Sequence, residues 1–196
     1  MNNRRERLPL TFIDSNVLFR MFAASPQKIK QYQETGSCGK KSLDYAIALL
    51  LNLERGGYST SEIALLETIS VASRLGGPSK AEAMFRSVIM QEGLRILETR
   101  ALTYPLGFAI VLRYQLEARD SLHLAVATLG GVTALVTSDE SFADGTESII
   151  KQVALQGFQL PKSISAIYRL TDKESTLIEQ RAAQSLALLS VEKAPA

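Results

Sequence analysis

Two short apolar stretches of this chain end in the same way, and that shared ending limits how the chain can fold. LPLTFID at 8–14 and TALVTSD at 133–139 both run from apolar residues into an aspartate. Helical periodicity follows each stretch, and further helical segments separate them. Strands separated by helices, rather than joined by tight turns, predict a mainly parallel sheet. We therefore expect an α/β fold with three layers, α/β/α, around a short central sheet.

The segments between and after these strands predict further helices. Helical spacing is present in LDYAIALLLNLE, IALLETISVASRL, SKAEAMFRSVIMQ, GFAIVLRYQLEA, DSLHLAVATLGG and SIIKQVALQ, and LRILE at 94–98 is strand-like. The glycines at 76–77 and Pro78 predict the end of one of these helices. In STSE at 59–62 the spacing predicts a capping box with Ser59 as the N-cap. The polar segment 25–42 is expected to be an insert, and GFQLP is expected to add an edge strand.

Length and composition predict one folded domain with an appendage. A chain of 196 residues that is 46% hydrophobic and 21% charged can bury a full core. We expect this domain at 1–165 and a C-terminal extension, helical or partly disordered, at 166–196. No apolar run approaches the roughly 20 residues that span a bilayer, so we expect a cytoplasmic protein with no membrane partner. The single cysteine supports neither a disulfide nor a Cys-rich metal site, and a net charge of +2 argues neither for nor against nucleic acid.

Four acids are candidates for a functional site. Asp14 and Asp139 follow strands, and the carboxyl ends of parallel strands meet at one edge of a sheet, where ligands bind. Asp120 precedes a helix that is apolar nearly all round. Glu67 lies inside an apolar helix, where an unpaired carboxylate is costly. Together the four acids indicate a cation site.

Two of these acids also have a structural interpretation. Asp120 suits the N-cap of its helix, and Asp139 suits a turn in SDES. Asp14 has no automatic partner at a strand exit. Glu62 already has a role in the expected capping box, so Glu67 is favoured over Glu62 as the functional acid of that helix.

Four short motifs occur in order along residues 8–160: FIDSNVLF, TSEIALLETISVA, LEARDSLHLAVATLGG and ALVTSDESF. Their order and approximate spacing resemble the PIN-domain ribonucleases, including the toxins of VapBC-type toxin–antitoxin pairs. The resemblance implies a hydrolase that cuts RNA phosphodiester bonds with Mg²⁺ or Mn²⁺, hard cations that prefer oxygen ligands. The insert at 25–42 and the stretch past about 165 depart from the family pattern.

The resemblance also implies roles for particular residues. Asp14, Asp120 and Asp139 are expected to ligate the metal directly or through water, and Glu67 to ligate a second metal or orient the attacking water. Asn16, Ser138 and His123 are expected to support these ligands, with His123 packed rather than catalytic. Candidates for phosphate contacts are Arg20, Lys40, Lys41, Arg113 and Arg119, and Glu140 and Asp144 are candidates to assist Asp139.

The implied partners are an RNA substrate, an antitoxin protein and a second copy of the chain in a homodimer. Two other functions stay open at this point. One is a non-catalytic PIN-like scaffold that binds RNA or protein. The other is a phosphotransfer enzyme with Asp14 as its nucleophile, although the second aspartate expected two positions later is replaced by Asn16.

Overall fold

The computed structural model describes residues 10–156, 164 and 166–170. Within them, five strands form one parallel sheet in the order β3-β2-β1-β4-β5. The strands are β1 (Thr11–Ile13), β2 (Tyr58–Ser61), β3 (Leu94–Leu97), β4 (Ala134–Thr137) and β5 (Ala166–Arg169). The helices are α1 (Ser15–Ala23), α2 (Pro26–Thr35), α3 (Lys41–Asn52), α4 (Glu62–Ile89), α5 (Thr103–Tyr114), α6 (Ala118–Leu129) and α7 (Glu140–Gln156).

Helices cover both faces of the sheet. Successive residues of a strand point to opposite faces, so each strand contributes side chains to two apolar clusters. Phe12 and Leu135 pack with α5, α6 and α7 in one apolar cluster. Ile13 and Val136 pack with α1, α3 and α4 in another. The three-layer α/β/α architecture with a parallel sheet is therefore confirmed.

Strand β2 differs from the sequence prediction, which has no strand there. Tyr58–Ser61 is buried between β1 and β3 although three of its four residues are polar. Two of the hydroxyls are hydrogen-bonded to carbonyls of β1: Ser59 Oγ donates to Thr11 at 3.3 Å, and Thr60 Oγ1 donates to Ile13 at 2.9 Å. Because these bonds satisfy the polar groups, a strand without apolar alternation is stable in the core.

Several helix boundaries also differ. The N-cap of α4 is Ser61, so the predicted cap at Ser59 is wrong. The polar insert contains α2, a helix that the sequence did not predict. The expected break at the glycine pair is a kink inside α4, where Gly77 has φ 75° and ψ −179°. This conformation is nearly exclusive to glycine.

The sheet reaches past residue 165, where the sequence analysis ends the nuclease domain, because β5 pairs with β4. The expected edge strand in GFQLP and the C-terminal helical extension lie outside the described residues, and the division into 1–165 and 166–196 stays a prediction. None of the helices described is long and apolar enough to cross a membrane.

The order of the strands reverses between β1 and β4. The chain runs outward from β1 to β2 and β3 on one side, and later forms β4 and β5 on the other. In open α/β sheets a ligand crevice lies beyond the carboxyl ends of the two strands where the order reverses. Asp14 directly follows β1, and Ser138 and Asp139 directly follow β4.

Candidate active site

A cavity of about 600 Å³ opens at this point of the sheet. It is lined by all four predicted acids, which come from different elements: Asp14, Glu67, Asp120 and Asp139. The structure therefore brings together acids that lie far apart in the sequence.

Asp14 is the N-cap of α1 and is nearly buried. Its Oδ1 accepts a 2.7 Å hydrogen bond from the Ser15 N–H, and its Oδ2 accepts one of 2.7 Å from the Thr137 hydroxyl. Burial raises the pKa of this carboxyl, against the opposing effects of His123 and of these two bonds. The expectation that a strand exit gives Asp14 no local partner is thus wrong, since the start of α1 supplies one.

Thr137 connects two of the acids and was not predicted as a site residue. Its Oγ1 donates to Asp14 and accepts the backbone N–H of Asp139 at 3.0 Å. The sequence offered only the position of Thr137 at the end of a buried strand, which is a weak signal for such a role.

Asp139 also serves the start of α7. Its Oδ1 accepts hydrogen bonds from the Ser141 hydroxyl at 2.6 Å, the Ser141 N–H at 3.0 Å and the Phe142 N–H at 3.1 Å. The bond from the Ser141 hydroxyl is the main cause that lowers the pKa of Asp139. The structural interpretation of this aspartate and its place at the cavity are therefore compatible.

Asp120 is the third residue of α6, so its interpretation as the N-cap is wrong; Glu117 precedes the helix. Its side chain is only 6% exposed. Burial and then the negative charge of Asp139 raise the pKa of Asp120 to about 6. A positive ion nearby would relieve both effects.

Glu67 lies at the cavity, whereas Glu62 accepts a hydrogen bond from the Thr99 N–H at 3.0 Å and does not line it. Glu67 Oε2 lies 3.1 Å from His123 Nε2. Burial opposes ionisation of Glu67, but the hydrogen bonds with His123 and Ser15, together with the positive charges of His123 and Arg119, outweigh it, and the pKa is lowered. Glu67 and not Glu62 thus lines the cavity, and the preference for Glu67 as the functional acid stays a prediction, although the capping-box argument behind it was wrong.

His123 is packed in the core with 1% exposure. Its ring centroid lies 6.2 Å from that of Phe12 and 6.2 Å from that of Phe142. It reaches the site through Glu67 and does not itself line the cavity.

The two other residues expected to support the ligands, Asn16 and Ser138, are hydrogen-bonded to each other. Asn16 lines the cavity, and its Oδ1 accepts the Ser138 N–H at 3.2 Å, which joins the start of α1 to the end of β4. Of the acids proposed to assist Asp139, neither lines the cavity. Asp144 pairs with Arg169 Nη1 at 2.6 Å instead.

Three arginines line the cavity: Arg20, Arg74 and Arg119. The sequence analysis named Arg20 and Arg119 but missed Arg74, which lies seven residues after Glu67 and hence on the same face of α4. Lys40, Lys41 and Arg113 do not line the cavity. Arg119 Nε lies 3.7 Å from Glu67 Oε1 and 3.8 Å from Asp120 Oδ1.

The donors suit a divalent cation in kind, because all four are carboxylates, the hard oxygen ligands that Mg²⁺ and Mn²⁺ prefer. Among the residues that the structure describes, however, no three acids, histidines or cysteines are gathered closely enough to hold a metal ion. The acids share a cavity without forming a finished coordination shell.

The fold and the cavity define an α/β/α domain with an acidic site at the reversal of strand order. The family model for the PIN domain matches residues 39–147, more than half of the chain, and the chain belongs to this family. The matched range contains three of the acids, and Asp14 precedes it. No protein with curated annotation matches the chain.

Three solved structures are similar to this chain, and the first of them shares its fold. The crystal structure of Mycobacterium tuberculosis VapC20, a sarcin-ricin loop cleaving toxin, matches 68% of this chain and 93% of its own at 17% identity, with a TM-score of 0.51. A toxin–antitoxin complex from Klebsiella pneumoniae matches 68% and 90% at 19% identity, with a TM-score of 0.43. VapBC2 from Rickettsia felis, bound to a DNA fragment from the promoter, matches 82% and 98% at 14% identity, with a TM-score of 0.49.

Proposed function

We propose that the chain is a ribonuclease that hydrolyses RNA phosphodiester bonds with Mg²⁺ or Mn²⁺. The observation that carries the proposal is the meeting of four carboxylates from separate elements in one cavity of a PIN domain. A divalent ion bound there would activate a water and stabilise the charge that develops on the phosphate.

The four acids have two kinds of role in this proposal. Asp14, Asp120 and Asp139 hold the metal, directly or through water. Glu67 holds a second metal or orients the attacking water. Its position is fixed by the hydrogen bond to His123, in the way that outer partners orient metal ligands. Asn16, the backbone N–H of Ser138 and the hydroxyl of Thr137 keep the ends of β1 and β4 together.

Arg20 and Arg74 are proposed to bind the phosphates of the RNA. They lie on α1 and α4 and line the cavity, and neither forms an ion pair with a described carboxylate. A guanidinium beside the site that pairs with no described carboxylate can donate two parallel hydrogen bonds to phosphate oxygens in a bidentate contact.

The toxin of a toxin–antitoxin pair is the proposed biological role. It rests on the resemblance to VapC proteins and on the shared fold with a toxin that cleaves the sarcin-ricin loop. An antitoxin protein and a homodimer are the partners that this role predicts, and a cytoplasmic location also stays a prediction. An antitoxin-like reading frame beside the gene would support the role.

The activity is tested with purified protein, mixed RNA and either Mg²⁺ or Mn²⁺, with an EDTA control. We expect cleavage by the wild type, none in EDTA and none by Asp14→Asn. Asp139→Asn should also be inactive. Its matched control is Asp144→Asn, because Asp144 lies in the same segment but pairs with Arg169 outside the cavity.

Retained cleavage by Asp14→Asn would contradict the proposed site. RNA binding without any metal-dependent cleavage by the wild type would favour the alternative function, a non-catalytic scaffold that binds RNA or protein.

A further inference from the structure

Arg119 lies among the acids as a positive charge that belongs to the protein itself. It is the second residue of α6, next to Asp120. Its Nε is 3.7 Å from a carboxylate oxygen of Glu67 and 3.8 Å from one of Asp120. Because Glu67 belongs to α4, the guanidinium bridges acids of two different helices.

The charge of Arg119 acts on the other acids as well. It lowers the pKa of Asp139, after the larger effect of the Ser141 hydrogen bond. It also opposes the burial that raises the pKa of Asp120. The guanidinium thus partly neutralises a cavity in which like charges would otherwise repel one another.

The two contacts of Arg119 are loose. Both distances exceed the 2.7–2.9 Å of a charge-assisted hydrogen bond, so each is an ion pair of modest strength. The side chain is 52% exposed, whereas those of Glu67 and Asp120 are 24% and 6% exposed. Solvent on one side and a flexible stem allow Arg119 to leave without any change in the backbone.

A guanidinium and a divalent ion cannot neutralise the same two carboxylates at once without repelling each other.

We propose that Arg119 is an internal counter-ion that competes with the divalent metal for Glu67 and Asp120 and is displaced when the metal binds. This inference rests on the proposed metal site. It assigns Arg119 a role in setting how much metal the enzyme requires, separate from the phosphate contacts assigned to Arg20 and Arg74.

The test measures Mn²⁺ affinity of the full chain from the electron paramagnetic resonance signal of free Mn²⁺, after removal of metal with EDTA. Arg119→Gln should bind Mn²⁺ roughly fivefold more tightly than the wild type, because an exposed ion pair contributes up to about a fivefold effect. The matched control is Arg74→Gln, which removes the same charge from the same cavity but breaks no ion pair with a described residue. Its affinity should change less than about twofold.

An unchanged affinity of Arg119→Gln, or an equal gain in both variants, would overturn the proposal. In the second case, net charge alone would explain the effect.

A second measurement uses the wild type and stays informative if Arg119→Gln folds poorly. The Nε–Hε signal of Arg119 in a ¹⁵N–¹H spectrum, assigned with Arg119→Lys, should shift on titration with diamagnetic Mg²⁺, while that of Arg74 moves less. An Arg119 signal that stays fixed while Mg²⁺ binds would contradict displacement.

Failure of the two proposals can be told apart. Tighter Mn²⁺ binding by Arg119→Gln without RNA cleavage by the wild type would contradict the ribonuclease alone. Metal-dependent cleavage with equal Mn²⁺ affinity in the wild type and Arg119→Gln would contradict the counter-ion role alone. A lack of Mn²⁺ binding by both proteins at millimolar concentration would contradict both.

Discussion

The hydroxyl of Thr137 joins Asp14 to Asp139. It donates a 2.7 Å hydrogen bond to Asp14 Oδ2 and accepts one of 3.0 Å from the backbone N–H of Asp139. Thr137 is fully buried, so water cannot replace either bond. One small side chain therefore links Asp14 to Asp139, which are 125 positions apart along the chain.

Thr137→Val should lower the free energy of unfolding by about 1–3 kcal/mol. The substitution keeps the shape of the side chain but leaves a buried carboxylate oxygen and a backbone N–H without their partner. Urea denaturation at pH 7 measures the effect. Thr137→Ser retains the hydroxyl and should lose less stability than Thr137→Val. Equal losses in the two variants would show that the methyl group, and not the hydrogen bonds, matters.

Asp120→Asn should make the metal-free protein more stable at neutral pH. The pKa of Asp120 is raised from 3.8 to about 6 in the folded state. The folded protein therefore binds a proton more readily than the unfolded chain, and ionisation of Asp120 costs stability above pH 6. This cost disappears as the pH falls toward 4. We expect an advantage of roughly 1–3 kcal/mol for Asp120→Asn at pH 7.5 and none near pH 4.

The measurement for Asp120 is urea denaturation of both proteins in EDTA across that pH range. Glu67 and Asp139 have lowered pKa values and lose stabilising charge as the pH falls, but they are present in both proteins. A difference between the two proteins that does not change with pH would contradict the raised pKa of Asp120.

Arg20→Gln and Arg74→Gln should each weaken RNA binding about 3- to 30-fold by removing one phosphate contact, with a smaller effect on kcat. In an Asp14→Asn background, binding of labelled RNA at several salt concentrations measures the change. Each variant should reduce the slope of log affinity against log salt by about 0.7. Arg86→Gln is the matched control, since Arg86 is also on α4 but pairs with Glu82 at 2.6 Å. An equal loss in the control would indicate a nonspecific charge effect.

His123→Phe should lower Mn²⁺ affinity about 10-fold, because Glu67 loses the hydrogen bond that orients it. The fold should tolerate the change, since His123 packs between Phe12 and Phe142. Mn²⁺ titration measures the effect on metal binding, and RNA cleavage at saturating Mn²⁺ measures any separate effect on catalysis. A loss of kcat with unchanged Mn²⁺ affinity would contradict this role of His123 in metal binding.

Gly77→Ala should lower the free energy of unfolding by about 1–3 kcal/mol. Nothing lies within 4 Å of an added Cβ at Gly77, so the cost comes from its backbone at φ 75°. Gly76→Ala is the control, because the nearest atoms to its added Cβ all belong to the flexible side chain of Lys80. Urea denaturation compares the two. An equal or greater loss in Gly76→Ala would show that the positive φ of Gly77 adds no particular cost.

The parts of the fold that the sequence predicted depend on local signals. β1, β3 and β4 are short apolar runs, and the helices beside them have regular apolar spacing. Asp14 and Asp139 follow two of these strands directly, so their meeting at one edge needed only the rule for parallel sheets.

The parts that the sequence missed depend on partners far along the chain. β2 is polar, and it is stable in the core because carbonyls of β1 accept its hydroxyls. The helix α2 lies in a polar segment and buries none of its residues, so it has no apolar stripe to reveal it.

The sequence by itself determined the class of fold and singled out four acids that line one cavity, because strand ends and helix periodicity are local properties. Only the tertiary structure decided which groups act on those acids. Thr137 bridges Asp14 and Asp139, His123 meets Glu67, and Arg119 lies between Glu67 and Asp120. Hydrogen bonds and ion pairs extend only a few ångströms, and separation along the chain does not give that distance.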